Sequence, residues 1–186
     1  MPFLKTEFAG LVIFEPAVYK DSRGYFFESY NEKTFLKENV DLRFVQDNQS
    51  SSSYGVIRGL HYQLSPHAQT KLVRVLTGTI VDIAVDIRKN SPTFARAFSI
   101  ELSAENKKQL LIPPGFAHGF SVLSERAEVL YKCDDFYDKE SETGIRYDDP
   151  QLNIDWRIPA DKIIVSEKDQ QLPVLTQSKN NFVFQN

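Results

Sequence analysis

The sequence predicts an all-β domain, a sandwich or barrel of many short strands. Three observations carry that expectation. Apolar-rich runs follow one another at short intervals, and turn-forming residues separate them. Aromatic residues, which pack well on pleated surfaces, are abundant, with 14 Phe and 8 Tyr among 186 residues.

The runs are Leu11–Val18, Gly24–Tyr30, Phe44–Asn48, Gly55–Gln63, Lys71–Thr77, Thr79–Arg88, Phe94–Leu102, Lys108–Ile112, His118–Leu123 and Ala127–Asp134. The breaks include Asp21-Ser22-Arg23-Gly24, Thr77-Gly78-Thr79, Ser91-Pro92 and Pro113-Pro114-Gly115. Gln49 and the four serines after it read as a loop between strands. In Thr79–Arg88, Val81, Ile83, Val85 and Ile87 share one face, and Asp82, Ala84 and Asp86 share the other. In Lys71–Thr77, Lys71, Val73 and Val75 lie opposite Leu72, Arg74 and Leu76. One short helix is expected over Asn31–Asn39, with Asn31 as its N-cap. After Tyr147 the prolines at 150, 159 and 173 break the pattern, and this segment is expected to wrap the barrel. The length fits one domain, residues 1–186, with no repeat or linker.

Charge and composition narrow the function. A net charge of −3 gives no general surface for nucleic acid. Cys133 is the only cysteine, so no intrachain disulfide forms and a reducing compartment is expected. The N-terminal segment lacks the basic start and apolar run of a signal peptide, and no stretch reaches the roughly 18 apolar residues of a membrane span. These features predict a cytoplasmic protein without membrane contact.

Polar residues inside apolar strands need a reason, because burying them unpaired is costly. In Arg58-Gly59-Leu60-His61-Tyr62-Gln63 the histidine is either a core residue satisfied by a carbonyl or a base, and Arg58 and Gln63 crowding the strand favour a site. Strict alternation puts Arg58 and His61 on opposite faces, so a shared site requires a bulge, which Gly59 can supply. Lys71 is either a solvated residue or an inward cation able to stabilise an enolate. His118 follows a turn, where β-barrels often place a metal ligand. A metal would need several converging His or carboxylates, the chain has three His, and Gln63 stands where a paired ligand is expected. Tyr131 either completes a hydrogen bond or serves as a general acid. Arg23 sits in a turn suited to a phosphate, and Gln46-Asp47-Asn48 offers amides for a base edge. No glycine-rich phosphate loop of Walker or Rossmann type is present.

Nine words run in order through nearly the whole chain: DSRGYFFESY at 21–30, FVQDN at 44–48, RGLHYQ at 58–63, KLVR at 71–74, DIR at 86–88, SPTF at 91–94, IPPGFAHGF at 112–120, LYK at 130–132 and SEKD at 166–169. In these the chain resembles the dTDP-4-dehydrorhamnose 3,5-epimerase family. The resemblance implies a cupin-type jelly-roll β-barrel with a few short peripheral helices, a homodimer, and no metal or cofactor. It also implies a dTDP-linked 4-keto-6-deoxyhexose substrate, whose ketone acidifies the hydrogens at C3 and C5. By position, His61 resembles the base, Asp169 its orienting carboxylate, Tyr131 the acid and Lys71 the enolate stabiliser. Arg23, Glu28, Gln46, Asp47, Asn48, Arg58, His118, Glu142 and Lys168 match substrate contacts, and Tyr137 matches the aromatic that stacks on thymine. The segment Cys133–Phe136 and the tail after Gln170 depart from the family wording. A relative that epimerises C3 alone would share the base, acid and lysine.

Overall fold

Residues 2–185 are described by the structure, a computed structural model. Fourteen strands follow in order: β1 Phe3–Lys5, β2 Val12–Phe14, β3 Tyr19–Asp21, β4 Gly24–Phe26, β5 Gln46–Ser53, β6 Val56–Gln63, β7 Lys71–Thr77, β8 Thr79–Asp86, β9 Ala97–Ser103, β10 Gln109–Ile112, β11 Phe116–Val122, β12 Arg126–Cys133, β13 Glu142–Gly144 and β14 Ile164–Val165. Two short helices accompany them, α1 Glu32–Lys37 and α2 Glu167–Gln170. One sheet runs β1-β2-β10-β7-β12-β5, and the other runs β13-β6-β11-β8-β9 with β14 parallel to β6. The hairpin β3–β4 stands apart as its own two-stranded sheet. The fold is the all-β jelly roll.

The inner faces of the two sheets close on one core. Val73, Val75 and Val129 from the first meet Ile80, Ala84, Phe116, Phe120 and Val122 from the second. Each outer face is also covered in part. Phe35 of α1 packs on Phe14, Leu72 and Leu111 outside the first sheet. Leu152, Trp156, Leu175 and Phe182 pack on Val81, Ile83, Val85 and Ile87 outside the second. The alternation in β8 therefore buries both of its faces, one inside the barrel and one beneath the C-terminal segment.

The helix begins where the sequence placed it, because the Asn31 side chain accepts the Lys33 N–H as an N-cap. Three other readings are corrected. The run after Asn48 is strand: Ser50, Ser51, Ser52 and Ser53 pair with Val129, Glu128, Ala127 and Arg126. Ladder bonds come from the backbone, so serine serves on an edge strand with one solvated face. The first run narrows to Val12–Phe14 before Pro16, which has no N–H to donate. The run from Phe94 starts instead at Ala97, because Ser91 and Thr93 donate to buried Asp86 and hold residues 91–96 in a turn.

Candidate active site

A bulge builds the site. His118 pairs with His61, and Phe120 pairs with Arg58, so three steps on β6 match two on β11. The extra residue reverses the alternation, so Arg58 and His61 share a face of β6: His61 lines the pocket, and the exposed Arg58 reaches Ser52 on β5. Gly59 sits in the bulge at φ +123°, and a Cβ there would stand 2.6 Å from Gly119 Cα and 2.7 Å from the His118 carbonyl oxygen. Only glycine fits both the dihedral and the space.

Between the inner faces lies a pocket of about 300 Å³ lined by Gln46, Asn48, His61, Tyr62, Gln63, Gln69, Lys71, Tyr131, Tyr137 and Glu142. A cavity of about 390 Å³ beside Phe14, Tyr19, Glu28 and Asn31 is larger; it holds the carboxylates of Glu15 and Glu28 but no histidine and no cation. The chemistry concentrates in the first.

His61 Nε2 lies 2.8 Å from Asp169 Oδ1. A carboxylate only accepts, so Nε2 carries a hydrogen, and in the neutral ring Nδ1 keeps the lone pair. Asp169 arrives on α2, whose N-cap Ser166 accepts the Asp169 N–H at 3.1 Å, and its other oxygen accepts the Gly59 N–H at 3.2 Å. Burial alone would raise the Asp169 pKa. The bond and charge of His61, with the Gly59 and Ser166 bonds, outweigh burial and hold it below the usual carboxylate range. The bulge thus serves twice: it turns His61 inward and offers an N–H to the carboxylate beneath it.

Opposite, Tyr131 stands on the inner face of β12. Burial first, then the neighbouring Cys133 and Glu142, raise its pKa, and the positive charge of Arg58 opposes them. The phenol is therefore protonated at neutral pH, as a proton donor must be. Lys71 projects from β7 with its Nζ 5.8 Å from the centroid of the Tyr131 ring. Burial lowers its pKa, against the attraction of Cys133, Asp82 and Glu142. At the mouth, Glu142 Oε2 accepts from Lys168 Nζ at 2.6 Å and from the Tyr137 hydroxyl at 2.9 Å. These bonds overcome the burial of Glu142 and lower its pKa.

Other expected residues sit around this centre. Arg58 is exposed, donates to Ser52 Oγ at 3.0 Å and is close enough for its charge to reach Tyr131. His118 is buried beside His61 on the neighbouring strand, with Nε2 2.7 Å from Asp82 Oδ1. Arg58, His118 and Lys168 lie outside the pocket lining but next to residues that form it, and three further residues are not brought to it within one chain. Asp47 points to the outer face, where it accepts from Lys132 Nζ at 3.0 and 3.1 Å, because alternation along β5 turns only Gln46 and Asn48 inward. Arg23 is exposed and bonded to Asp21 in the β3–β4 turn. Glu28 accepts from Asn31 beside α1. That segment crosses the outer face of the first sheet, where Gln109 donates to the Ser29 carbonyl and Arg74 lies under the Phe27 ring.

Two residues escaped the functional reading of the sequence. Asp82 is fully buried, and its Oδ2 has no hydrogen-bond partner. An aspartate between Val81 and Ile83 in an apolar strand was the available signal. Gln63 lines the pocket; the sequence marked it as a neighbour of His61 and as an argument against a metal, but no spacing gave it a contact of its own. Among the described residues no three His, Cys, Asp or Glu converge as a metal-binding set.

A β-barrel pocket with a carboxylate-oriented histidine, a protonated tyrosine and a buried lysine defines a proton-transfer enzyme acting at carbon beside a carbonyl. Comparison with known proteins gives the class its family. The family model of dTDP-4-dehydrorhamnose 3,5-epimerase matches residues 5–177. The enzyme of that name from Shigella flexneri is 54% identical over 171 residues, covering 91% of this chain and 93% of the relative. The crystal structure of the enzyme from Elizabethkingia anophelis NUHP1 is 55% identical with a TM-score of 0.89, over 94% of this chain and 96% of that one. The structure of dTDP-6-deoxy-D-glucose-3,5-epimerase from Legionella pneumophila Philadelphia 1, in complex with dTDP-4-keto-L-rhamnose, is 49% identical with a TM-score of 0.90, over 94% and 93%. The chain belongs to the dTDP-4-dehydrorhamnose 3,5-epimerase family and is an isomerase.

Proposed function

We propose that His61, Asp169, Tyr131 and Lys71 carry out the chemistry of this epimerase. The reaction is 3,5-epimerisation of dTDP-4-dehydro-6-deoxy-D-glucose to dTDP-4-dehydro-L-rhamnose, a step of dTDP-L-rhamnose biosynthesis. The C4 ketone makes the hydrogens at C3 and C5 acidic. His61 Nδ1 removes a proton, and Asp169 stabilises the imidazolium that forms. The electron pair moves onto the C4 oxygen, where the Lys71 ammonium offsets the negative charge. Tyr131 returns a proton to the opposite face, which inverts the centre.

The observation that carries this reading is the His61–Asp169 pair sharing one pocket with a tyrosine held in its acid form. Gln46, Asn48, Arg58, His118, Glu142 and Lys168 hold the sugar and diphosphate, and Tyr137 stacks on thymine. The deciding experiment is solvent deuterium exchange into the dTDP keto-sugar. Label at C3 and C5 is expected. Label at C3 alone would assign a C3 epimerase, and no label would refute catalysis. His61→Ala or His61→Asn should abolish exchange, since a positioned base contributes roughly 10²–10⁴-fold. Near-normal activity would remove His61 from its role.

The functional unit is a homodimer in the cytoplasm. Two features favour a second copy. The hairpin β3–β4 stands alone with Tyr19, Tyr25 and Phe26 exposed, and β5 is an eight-residue edge strand. A partner would also account for Arg23 and Glu28, which complete no site in their own chain. Sedimentation should give twice the chain mass, and a monomer with full activity would refute the assembly.

A further inference from the structure

Three glutamines hold the loop that carries Tyr137: Gln69 donates to the Asp135 carbonyl at 2.8 Å, and Gln46 and Gln63 bond the peptide groups next to the ring. Gln63 has no role in the chemistry above. Gln63 is buried at 5% exposure on the pocket wall. Its Oε1 accepts the Asp138 N–H at 2.9 Å. Its Nε2 donates to the Phe136 carbonyl at 3.2 Å and to the His67 carbonyl at 2.6 Å. The side chain thus binds the peptide groups on both sides of Tyr137 and ties them to the turn at 64–67. Gln46 Oε1 takes the Tyr137 N–H at 3.0 Å. The ring itself is 54% exposed and has only the Glu142 bond to orient it. Its position over the pocket is therefore set by its backbone, and Gln63 alone bonds the peptide groups on both sides of it while tying them to residue 67.

We propose that Gln63 is a positioning residue for recognition of the nucleotide base, acting by presenting the Tyr137 ring in its stacking position before ligand arrives. This rests on the assignment of Tyr137 to thymine stacking. Preorganisation of this kind lowers the ordering cost of binding. It predicts an effect confined to ligands that carry a base. Gln63→Glu keeps the shape and the Asp138 bond but loses both N–H donors, setting a carboxylate oxygen against two carbonyls. Gln63→Met removes all three bonds and keeps the length.

The test measures binding of dTDP and of inorganic pyrophosphate by calorimetry for wild type, both Gln63 variants and Tyr137→Ala. Each Gln63 variant should weaken dTDP by about 10-fold or more, the value of roughly one hydrogen-bonded ordering contact. Pyrophosphate affinity should stay within about twofold. In turnover, KM for the dTDP keto-sugar should rise more than kcat falls. Equal weakening of both ligands, or of neither, would overturn the proposal. Tyr137→Ala separates the two layers. If it spares dTDP, the stacking assignment fails; if it weakens dTDP while the Gln63 variants do not, only the role of Gln63 fails. A measurement on the unaltered protein guards against variants that do not fold. The Tyr137 and Asp138 amides should exchange slowly without ligand. Fast exchange that slows only when dTDP is added would show that the ligand orders the loop, and would refute the proposal.

Discussion

Replacing Asp169 with asparagine tests the base most sharply, because the change is nearly isosteric and the geometry restricts what the amide can do. Asp169 accepts from two donors at once, His61 Nε2 at 2.8 Å and the Gly59 N–H at 3.2 Å. Asparagine offers one acceptor and one NH2 group. If the amide oxygen takes the place facing Gly59, the NH2 faces Nε2 and forces it to accept; the hydrogen then moves to Nδ1, the atom assigned to proton removal. If Oδ1 stays on His61, the NH2 opposes a buried N–H, costing about 1–3 kcal/mol. Loss of a charge-assisted bond alone is worth about 1.5–3 kcal/mol, roughly 10- to 150-fold in rate. A full tautomer reversal costs about 10⁴-fold in the serine-protease case. Deuterium exchange into the keto-sugar should therefore slow by at least about 10-fold and at most about 10⁴-fold. Acid stability gives an independent reading. The folded pKa of Asp169 is depressed, so its contribution to stability is complete above the unfolded value of about 3.9 and is lost as pH falls through the folded value. The variant should lack that part of the acid transition. Exchange within twofold of wild type, together with an unchanged acid transition, would refute the dyad.

Two further outcomes follow from the same geometry. Tyr131→Phe should leave proton removal partly intact while lowering turnover or scrambling the configuration of the product, as read by NMR of the reaction mixture; normal epimerisation would dismiss Tyr131 as the acid. Gly59→Ala forces a Cβ to 2.6 Å from Gly119 Cα at φ +123°, so strain and overpacking should together cost on the order of 2–6 kcal/mol in a denaturant melt, with loss of activity. A variant as stable and active as wild type would mean that the bulge is not what places His61.

The strands and the two faces of β7, though not which of them points inward, were legible because period-two alternation is a property of single residues in a row. The bulge was legible for a different reason: Arg58 and His61 have the wrong parity for one site, and a glycine lies between them. What the sequence hid depended on contacts distant along the chain. The Ser50–Ser53 strand exists because β12 pairs with it, and serine carries no local mark of that. Gln63 bonds residues 67, 136 and 138, and no spacing rule links those positions. Asp47 looked equivalent to Gln46 and Asn48 in the word FVQDN, yet strand alternation turns it to the opposite face. Asp169 lies 108 residues from His61, and only the family resemblance joined them before the fold did.

Lys71 shows the site working against stability. Its ammonium is drawn into the pocket, and burial lowers its pKa although Cys133, Asp82 and Glu142 attract it. Among the described residues it forms no close ion pair to offset desolvation. A lysine whose folded pKa is depressed binds its proton less well in the folded state, so stability rises as pH climbs from the folded value toward about 10.4. Below that window the charge is retained at a cost, which makes sense only if a negative charge arrives during turnover. Replacing such a charge with an apolar side chain of similar length is often stabilising. Lys71→Met should therefore raise Tm by roughly 2–4 °C for each kcal/mol recovered, and remove the rise in stability at alkaline pH. The same change should lower kcat by about 10²–10³-fold, the usual effect of removing one preorganised group at a developing oxyanion. A lower Tm together with near-normal kcat would contradict both halves, showing Lys71 to be a structural cation and leaving the enolate without its partner.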